Sequence, residues 1–240
     1  MHIRWNDQTV RWFEDAVEYT GYSKKLAQIL KEYIPKGETL CDLGCGAGLV
    51  DFALADHCSA ITCVDISPDA IAHVHRKAAA QGIENINALC MDASELTGSW
   101  DTVMAIIFGG SQICTDYFHL AGKRFVLITN AHRKGNFGPE GYQAIKCSNI
   151  TTTKDYLDAM GVKYTHEAFA LEYGQPFADR EDARAFVRAY TRPMSDEMLE
   201  AYLEENLKET GEEKWPYYLP NRKEFGLFVI GRDENENLPG

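Results

Sequence analysis

An α/β fold around a mostly parallel sheet is the fold class that this 240-residue sequence predicts. In residues 39–65, two short apolar runs flank a glycine-rich turn and a segment with apolar residues at helical spacing. The second of these runs ends on an acid, Asp65. Strand-like and helical segments then continue to alternate to about residue 232. Strand, tight turn, helix and strand in this order form half of a nucleotide-binding α/β unit.

Local start and stop signals give the order of the elements. Ser23 is the predicted cap of the first long helix, and Ser67 followed by Pro68 marks another helix start. Thr151 is the predicted cap of a later helix. The predicted strands are 39–42, 61–64, 87–91, 102–108, 124–129, 163–173 and 226–231, and the predicted helices are 23–34, 49–57, 68–81, 111–120, 151–160, 181–190 and 195–208.

The glycine turn indicates a ligand site. Gly44 and Gly46 let the backbone turn sharply and approach a ligand with no side chain in between. Asp65 follows about twenty residues later, where its carboxylate can accept both hydroxyls of a ribose. Asp42, just before the turn, would repel a pyrophosphate but suits a ligand with a positive group, such as S-adenosylmethionine. The spacing Gly-x-Gly-x-Gly and Asp42 therefore disfavour NAD.

The chain resembles the class I S-adenosylmethionine-dependent methyltransferases. Four features carry the resemblance in order: residues 42–48, then Asp65-Ile66, then Asp92-Ala93 after the third strand, and residues 100–108. It implies a Rossmann-like, seven-stranded, mostly parallel sheet with an antiparallel last strand and helices on both faces. About fifty residues intervene between the sixth and seventh strands, where the family usually has a short hairpin. We expect a helical insertion there.

The resemblance also assigns the cofactor site, with S-adenosylmethionine as cofactor and S-adenosylhomocysteine as product. It implies that Asp42, Gly44 and Gly46 meet the methionine moiety, with the small Cys45 packed in the same turn. Asp65 takes the ribose hydroxyls. Ile66 packs on the adenine, and Asp92 with Ala93 faces its exocyclic amine. Tyr19, in a segment similar to the helical lid of the family, is positioned to reach the methionine end.

On the acceptor side, the candidates are the aromatic residues and one histidine near the predicted carboxyl edge of the sheet. His132 lies with Arg133, Asn136 and Tyr142 in a polar loop and is the candidate general base, although a solvated loop histidine is the alternative. No catalytic residue is otherwise assigned. The substrate-binding candidates are Trp5, Trp12, Phe108, His132, Trp215, Tyr217 and Tyr218.

Composition and motifs disfavour several classes of binding partner. The formal net charge of −12 disfavours nucleic acid, which needs a basic face. Ile-Phe-Gly-Gly stands where methyltransferases of DNA adenine resemble one another in an Asn/Asp-Pro-Pro-aromatic motif. No apolar stretch approaches a membrane span. The seven cysteines include no Cys-x-x-Cys pair, so we expect no metal and a reducing, cytoplasmic setting.

We therefore expect one methyltransferase domain over residues 1–240, acting on a small-molecule acceptor. Residues 1–22 form the lid, 178–222 the aromatic and helical insertion that walls the substrate, and 233–240 a flexible tail. A monomer and a homodimer both remain open. Alternatives are methylation of a protein or RNA, a non-catalytic module that binds S-adenosylmethionine, and another Rossmann enzyme that uses NAD.

Overall fold

A computed structural model describes residues 5–133, 135, 137–144 and 148–235. Residues 1–4 of the predicted lid, Asn136, Cys147 and residues 236–240 of the predicted tail lie outside the described residues. The strands are β1 Thr39–Leu43, β2 Ala60–Asp65, β3 Ile86–Cys90, β4 Trp100–Ile106, β5 Ala121–Asn130, β6 Thr165–Glu172, β7 Gln175–Phe177, β8 Lys208–Glu209, β9 Tyr217–Leu219 and β10 Arg222–Gly231. The helices are α1 Asp7–Thr20, α2 Tyr22–Leu30, α3 Leu49–Leu54, α4 Pro68–Gln81, α5 Ile113–Asp116, α6 Ile150–Ala159, α7 Arg180–Tyr190 and α8 Asp196–Asn206.

The main sheet has seven strands in the order β3-β2-β1-β4-β5-β10-β6. The pairs among β3, β2, β1, β4 and β5 are parallel, whereas β10 runs antiparallel between β5 and β6. This confirms the expected fold class. The strand order reverses at β1 and β4, and the carboxyl ends of the parallel strands at such a point form the usual ligand edge of an open α/β sheet.

Helices cover both faces of the sheet because strand side chains alternate in direction. Leu40 of β1 faces the core that holds apolar residues of α2, α3 and α4. Its neighbour Cys41 faces the core beneath α5 and α6. Both clusters are buried, and period-two alternation of apolar residues in the strands therefore fills both sides at once.

Several predicted helix starts are corrected by one or two residues. Ser67 does cap α4, with Pro68 at its first turn. Ser23 lies inside α2, because Gly21 at φ 67° is the break between α1 and α2. Asn149, not Thr151, caps α6, and its side chain accepts a hydrogen bond from Thr152 N. Asparagine is as good a cap as serine or threonine, so the misassignment shifted the helix by one residue.

The insertion between β6 and β10 contains strands as well as the expected helices. It contains α7 and α8 but also a separate three-stranded sheet in the order β7-β9-β8. The aromatic residues of the predicted insertion include Tyr217 and Tyr218, which lie on strand β9. A third core holds the insertion together and includes Trp12 of α1. The short strands were missed because strands of two or three residues leave no periodic signal.

Two polar side chains are buried away from the predicted site. His73 on α4 is buried, and desolvation lowers its pKa. Asn235, in the expected flexible tail, is also buried, and its side chain bonds both the N–H and the carbonyl of Lys163. No helix in the described part of the chain is long and apolar enough to cross a membrane.

Candidate functional site

The glycine turn after β1 requires glycine. Gly44, Gly46 and Gly48 have φ of 72°, 55° and 68°, in the left-handed region that other residues rarely adopt. The N–H groups of Gly44 and Cys45 donate to the carbonyl of Val64, at 2.8 and 3.1 Å. These two bonds tie the turn to the end of β2, and the backbone of the turn therefore lies beside Asp65.

Asp65 is held rigidly at the tip of β2. Its Oδ2 accepts a hydrogen bond from Gly46 N at 2.9 Å, and its Oδ1 accepts one from Ser67 N at 2.8 Å. Each carboxylate oxygen can accept more than one hydrogen bond. The carboxylate is thus oriented by the backbone on both sides and keeps acceptor capacity for a ligand with paired hydroxyls.

An exposed apolar surface follows this carboxylate. Ile66 is 70 % exposed, an unusual state for isoleucine, and it directly follows Asp65. Asp92 follows the neighbouring strand β3, and its Oδ1 accepts from both the N–H and the hydroxyl of Ser94. These bonds lower the pKa of Asp92. The arrangement offers a flat ring an apolar contact and an ionised acceptor.

Two carboxyl groups are buried beneath the turn. Asp42 at the end of β1 and Asp51 on α3 are almost inaccessible, and Asp42 Oδ1 and both oxygens of Asp51 have no hydrogen-bond partner among the described residues. Burial raises the pKa of Asp42 well above its ordinary value, with Asp51 adding to the effect, and burial raises that of Asp51 to about 7. Two adjacent buried carboxylates cannot both ionise easily, so this pair shares a proton near neutral pH.

Two aromatic rings lie on the glycine turn. A Cβ at Gly44 would collide with the ring of Phe108, and a Cβ at Gly46 with the ring of Trp5. Phe108 follows Ile107, which has φ 54°. A left-handed β-branched residue is strained by about 1–3 kcal/mol, and such strain is concentrated at functional sites. The strained turn after β4 directs Phe108 over the glycines.

A cavity of about 600 Å³ opens at the same edge of the sheet, beside β5 and β10. Asn130 at the end of β5 and Arg222 and Glu224 at the start of β10 line it, together with His132 and Arg133. His132 Nε2 lies 2.8 Å from Glu224 Oε2. Neighbouring strands are about 4.8 Å apart, so β5 lies about 10 Å from β1 across β4.

A profile of the family described as "Methyltransferase domain" matches residues 40–121, which include the glycine turn, Asp65 and Asp92. Over these residues, about a third of the chain, the protein is similar to that family. Its fold is shared with a putative methyltransferase from Bacillus halodurans, with a TM-score of 0.54 and 14 % identity over 88 % of this chain and 99 % of that one.

Two curated methyltransferases match part of the chain. Magnesium protoporphyrin IX methyltransferase of Arabidopsis thaliana is 39 % identical over 72 residues, 29 % of this chain and 23 % of its own. Ubiquinone biosynthesis O-methyltransferase of Coxiella burnetii is 38 % identical over 73 residues, 30 % of this chain and 31 % of its own. The chain thus spans under a third of either relative's length.

The structure brings together most of the residues that the sequence predicted for the cofactor site. Asp42, Gly44, Cys45, Gly46, Asp65 and Ile66 lie on one stretch of backbone from β1 to the end of β2. Asp92 and Ala93 follow the adjacent strand. Tyr19 is elsewhere, packed on Tyr218 at 4.6 Å and Trp215 at 5.7 Å between ring centroids. Asp51 was missed, although an acid inside the apolar segment 49–54 was a readable signal.

The acceptor-side candidates lie in different parts of the structure. Phe108 and Trp5 lie at the turn, and His132 lies at the cavity. Trp12 is 1 % exposed in the core of the insertion, so it has no surface to offer a ligand. Trp215 is also buried, whereas Tyr217 and Tyr218 are half-buried on β9. Within the described residues, no group of three His, Cys, Asp or Glu side chains could hold a metal.

Replacing Asp51 by Asn should flatten the dependence of stability on pH. The folded protein keeps a proton on Asp51 that the unfolded chain releases above about pH 4, so wild-type stability falls as pH rises from there towards the folded pKa of about 7. Relative to wild type, Asp51→Asn should gain up to about 4 kcal/mol of stability between pH 4, where the two should be equally stable, and pH 8. Urea unfolding at pH 4.5, 6 and 8 measures this.

The matched control for Asp51→Asn is Asp69→Asn, which removes an exposed carboxyl from the first turn of α4. It should leave the pH profile unchanged. An unaltered pH dependence in Asp51→Asn would show that Asp51 carries no raised pKa.

Proposed function

We propose that this protein is a methyltransferase and transfers a methyl group from S-adenosylmethionine to a small-molecule acceptor held at the carboxyl edge of the sheet. The observation that carries the proposal is the fixed carboxylate of Asp65, bonded by Gly46 N and Ser67 N and followed by the exposed Ile66. A paired acceptor beside an exposed apolar side chain suits a ribose joined to a flat base.

The residues present fit this cofactor. Gly44 and Gly46 leave a surface without side chains of their own, and the aromatic rings that now cover it are the far ends of two side chains. Asp42 has an unpartnered buried oxygen beneath the turn, which would accept a hydrogen bond from the methionine end of the cofactor. Asp65 would hold the ribose, and Ile66 and Asp92 the adenine.

When bound, the cofactor supplies a methyl group on a positively charged sulfur. The chain therefore needs to align the acceptor and exclude water, and it needs a base only if the acceptor is protonated at the working pH. Phe108 and Trp5 are placed to exclude water from the turn. His132 lines the cavity with Nε2 against Glu224, which leaves Nδ1 as an acceptor if Nε2 carries the proton.

Net charge and the relatives support a small acceptor. A chain with a formal charge of −12 is poorly suited to RNA, and the matched relatives carry the names of small molecules in biosynthesis. The six cysteines within the described residues are free thiols, which supports a reducing compartment and hence our assignment to the cytoplasm. We place a monomer or homodimer as the working unit.

Calorimetric titration tests the cofactor step. We expect micromolar binding of S-adenosylmethionine and of S-adenosylhomocysteine, and no binding of NAD under the same conditions. Binding of NAD alone would overturn the proposal.

Acceptor class is tested by incubating the protein with methyl-labelled S-adenosylmethionine and three fractions of a cell extract: small molecules, protein and RNA. Label in the small-molecule fraction alone is the expected result. Label in protein or RNA would favour those acceptors, and cofactor binding with no label anywhere would favour a non-catalytic module.

A further inference from the structure

The cavity beside β5 and β10 is built by residues far apart in sequence. Antiparallel pairing sets Phe225 of β10 opposite Asn130 of β5, so Arg222, three residues earlier, lies beyond the end of β5. The loop after β5 adds His132 and Arg133. A volume of about 600 Å³ is within the range of small-molecule sites. The cavity also lies on the edge of the sheet to which the glycine turn belongs.

Positive charge is in excess at this cavity. Arg133 and Arg222 both line it, and neither has a carboxylate partner among the residues that the structure describes. Glu224, the one acid in the lining, is already in contact with His132. The local charge at this cavity is therefore positive, whereas the formal net charge of the whole chain is −12. Guanidinium groups bind carboxylate and phosphate oxygens through two parallel hydrogen bonds.

Asn130 supplies a second, independent observation. It is 5 % exposed, it lines the cavity, and its Oδ1 has no hydrogen-bond partner in the described part of the chain. A buried amide oxygen without a donor is unfavourable, and such groups in native proteins usually meet a ligand or an ordered water. The unsatisfied oxygen therefore requires an N–H or O–H from whatever occupies the cavity.

We infer that this cavity binds a small anionic acceptor, whose carboxylate or phosphate is held by Arg222 and Arg133 and whose N–H or O–H group is held by Asn130. That the bound molecule is a methyl acceptor rests on the proposed function, whereas the binding of an anion in the cavity does not. The oxyanion anchors the molecule at the β10 side. The group that bonds Asn130 lies nearer to β4 and the glycine turn, so it is the group that would take the methyl as the sulfur–methyl bond breaks and S-adenosylhomocysteine leaves. Its displaced proton would pass to His132, which lines the same cavity, or to solvent.

Binding of defined probes to the full-length protein tests the inference. The probes are 3-hydroxybenzoate, phenyl phosphate and the neutral 3-hydroxybenzamide, measured by saturation-transfer NMR and by calorimetry. We expect the anionic probes to bind at least 10-fold more tightly than the amide. The carboxylate and phosphate arms show which oxyanion the site prefers. Equal binding of the neutral amide would overturn the inference.

Variants locate the binding. Arg222→Gln and Arg133→Gln should each weaken the anionic probes at least 5-fold, and Asn130→Asp, which is nearly isosteric, should abolish their binding by adding a like charge. Arg76→Gln, on the exposed side of α4, is the matched control and should change nothing. Thermal melting checks that each variant is folded. Unchanged probe binding in a folded Arg222→Gln, Arg133→Gln double variant would overturn the assignment.

Cofactor binding separates this inference from the proposed function. Titration with S-adenosylmethionine should give the same Kd, within 2-fold, in wild type and in the Arg222 and Arg133 variants. If the wild-type protein binds the anionic probes but not S-adenosylmethionine, the proposed function is overturned and the anion site stands. If it binds S-adenosylmethionine but does not prefer the anionic probes, the anion site is overturned and the proposed function stands.

Discussion

Trp12→Ala is expected to lower the free energy of unfolding by about 3–5 kcal/mol, the usual cost of truncating a buried tryptophan. Trp12 is 1 % exposed, and its ring packs edge-on against Phe186 with 5.3 Å between centroids. Its indole N–H donates to Asp182 at 2.8 Å, and its carbonyl accepts from Gln175 at 3.0 Å. The substitution removes the ring contact and the indole hydrogen bond but keeps the carbonyl bond to Gln175. Because α1 meets the insertion through the indole, its loss should loosen both.

Urea denaturation followed by circular dichroism measures the effect, and limited proteolysis reports whether the insertion opens first. Arg11→Ala is the matched control, since Arg11 binds the same Asp182 carboxylate from an exposed position on α1. An exposed ion pair is worth under about 1 kcal/mol, so this control should be nearly as stable as wild type. A Trp12→Ala protein of wild-type stability with weakened acceptor binding would instead make Trp12 a substrate contact.

Asp65 and Trp12 differ in how well their surroundings can be predicted from the sequence. Residues 39–65 form their structure through local rules: glycine where φ is positive, an acid at a strand end, an apolar run on each side. Those rules predict the order of the elements to within a few residues, and they place Asp65 beside the glycine turn. In this stretch the residues that favour the turn are also the residues of the candidate site, so their proximity could be predicted from the sequence.

The cavity beside β5 and β10, in contrast, depends on contacts between distant parts of the chain. Asn130 and Arg222 meet only through the antiparallel pairing of β5 and β10, and no local pattern encodes that meeting. Trp12 is buried by residues about 170 positions later, which the apolar stripe of α1 does not identify. The positive φ of Ile107 is likewise invisible, because its residue type disfavours that conformation.

Asp65→Ala is expected to weaken S-adenosylmethionine binding by about 1–3 kcal/mol, or about 5- to 150-fold in Kd, the value of charge-assisted hydrogen bonds to two ribose hydroxyls. Both oxygens of Asp65 also accept backbone N–H groups, from Gly46 and Ser67. Part of the loss would therefore come from a looser turn. Asp65→Asn keeps one amide oxygen as acceptor and should fall between wild type and Asp65→Ala.

The pair of variants separates the two causes when cofactor titration is combined with thermal melting. If Asp65 only supports the turn, the loss of cofactor binding free energy should parallel the loss of unfolding free energy across the two variants. If the carboxylate binds the ribose, the loss of binding free energy should be the larger of the two. Binding of S-adenosylhomocysteine, which carries the same ribose, should then weaken by the same factor. Asp69→Ala, an exposed acid four residues further along, should bind both as wild type does. Unchanged affinity in a folded Asp65→Ala protein would remove Asp65 from the site, because no other described carboxylate is held at the tip of β2 by the glycine turn.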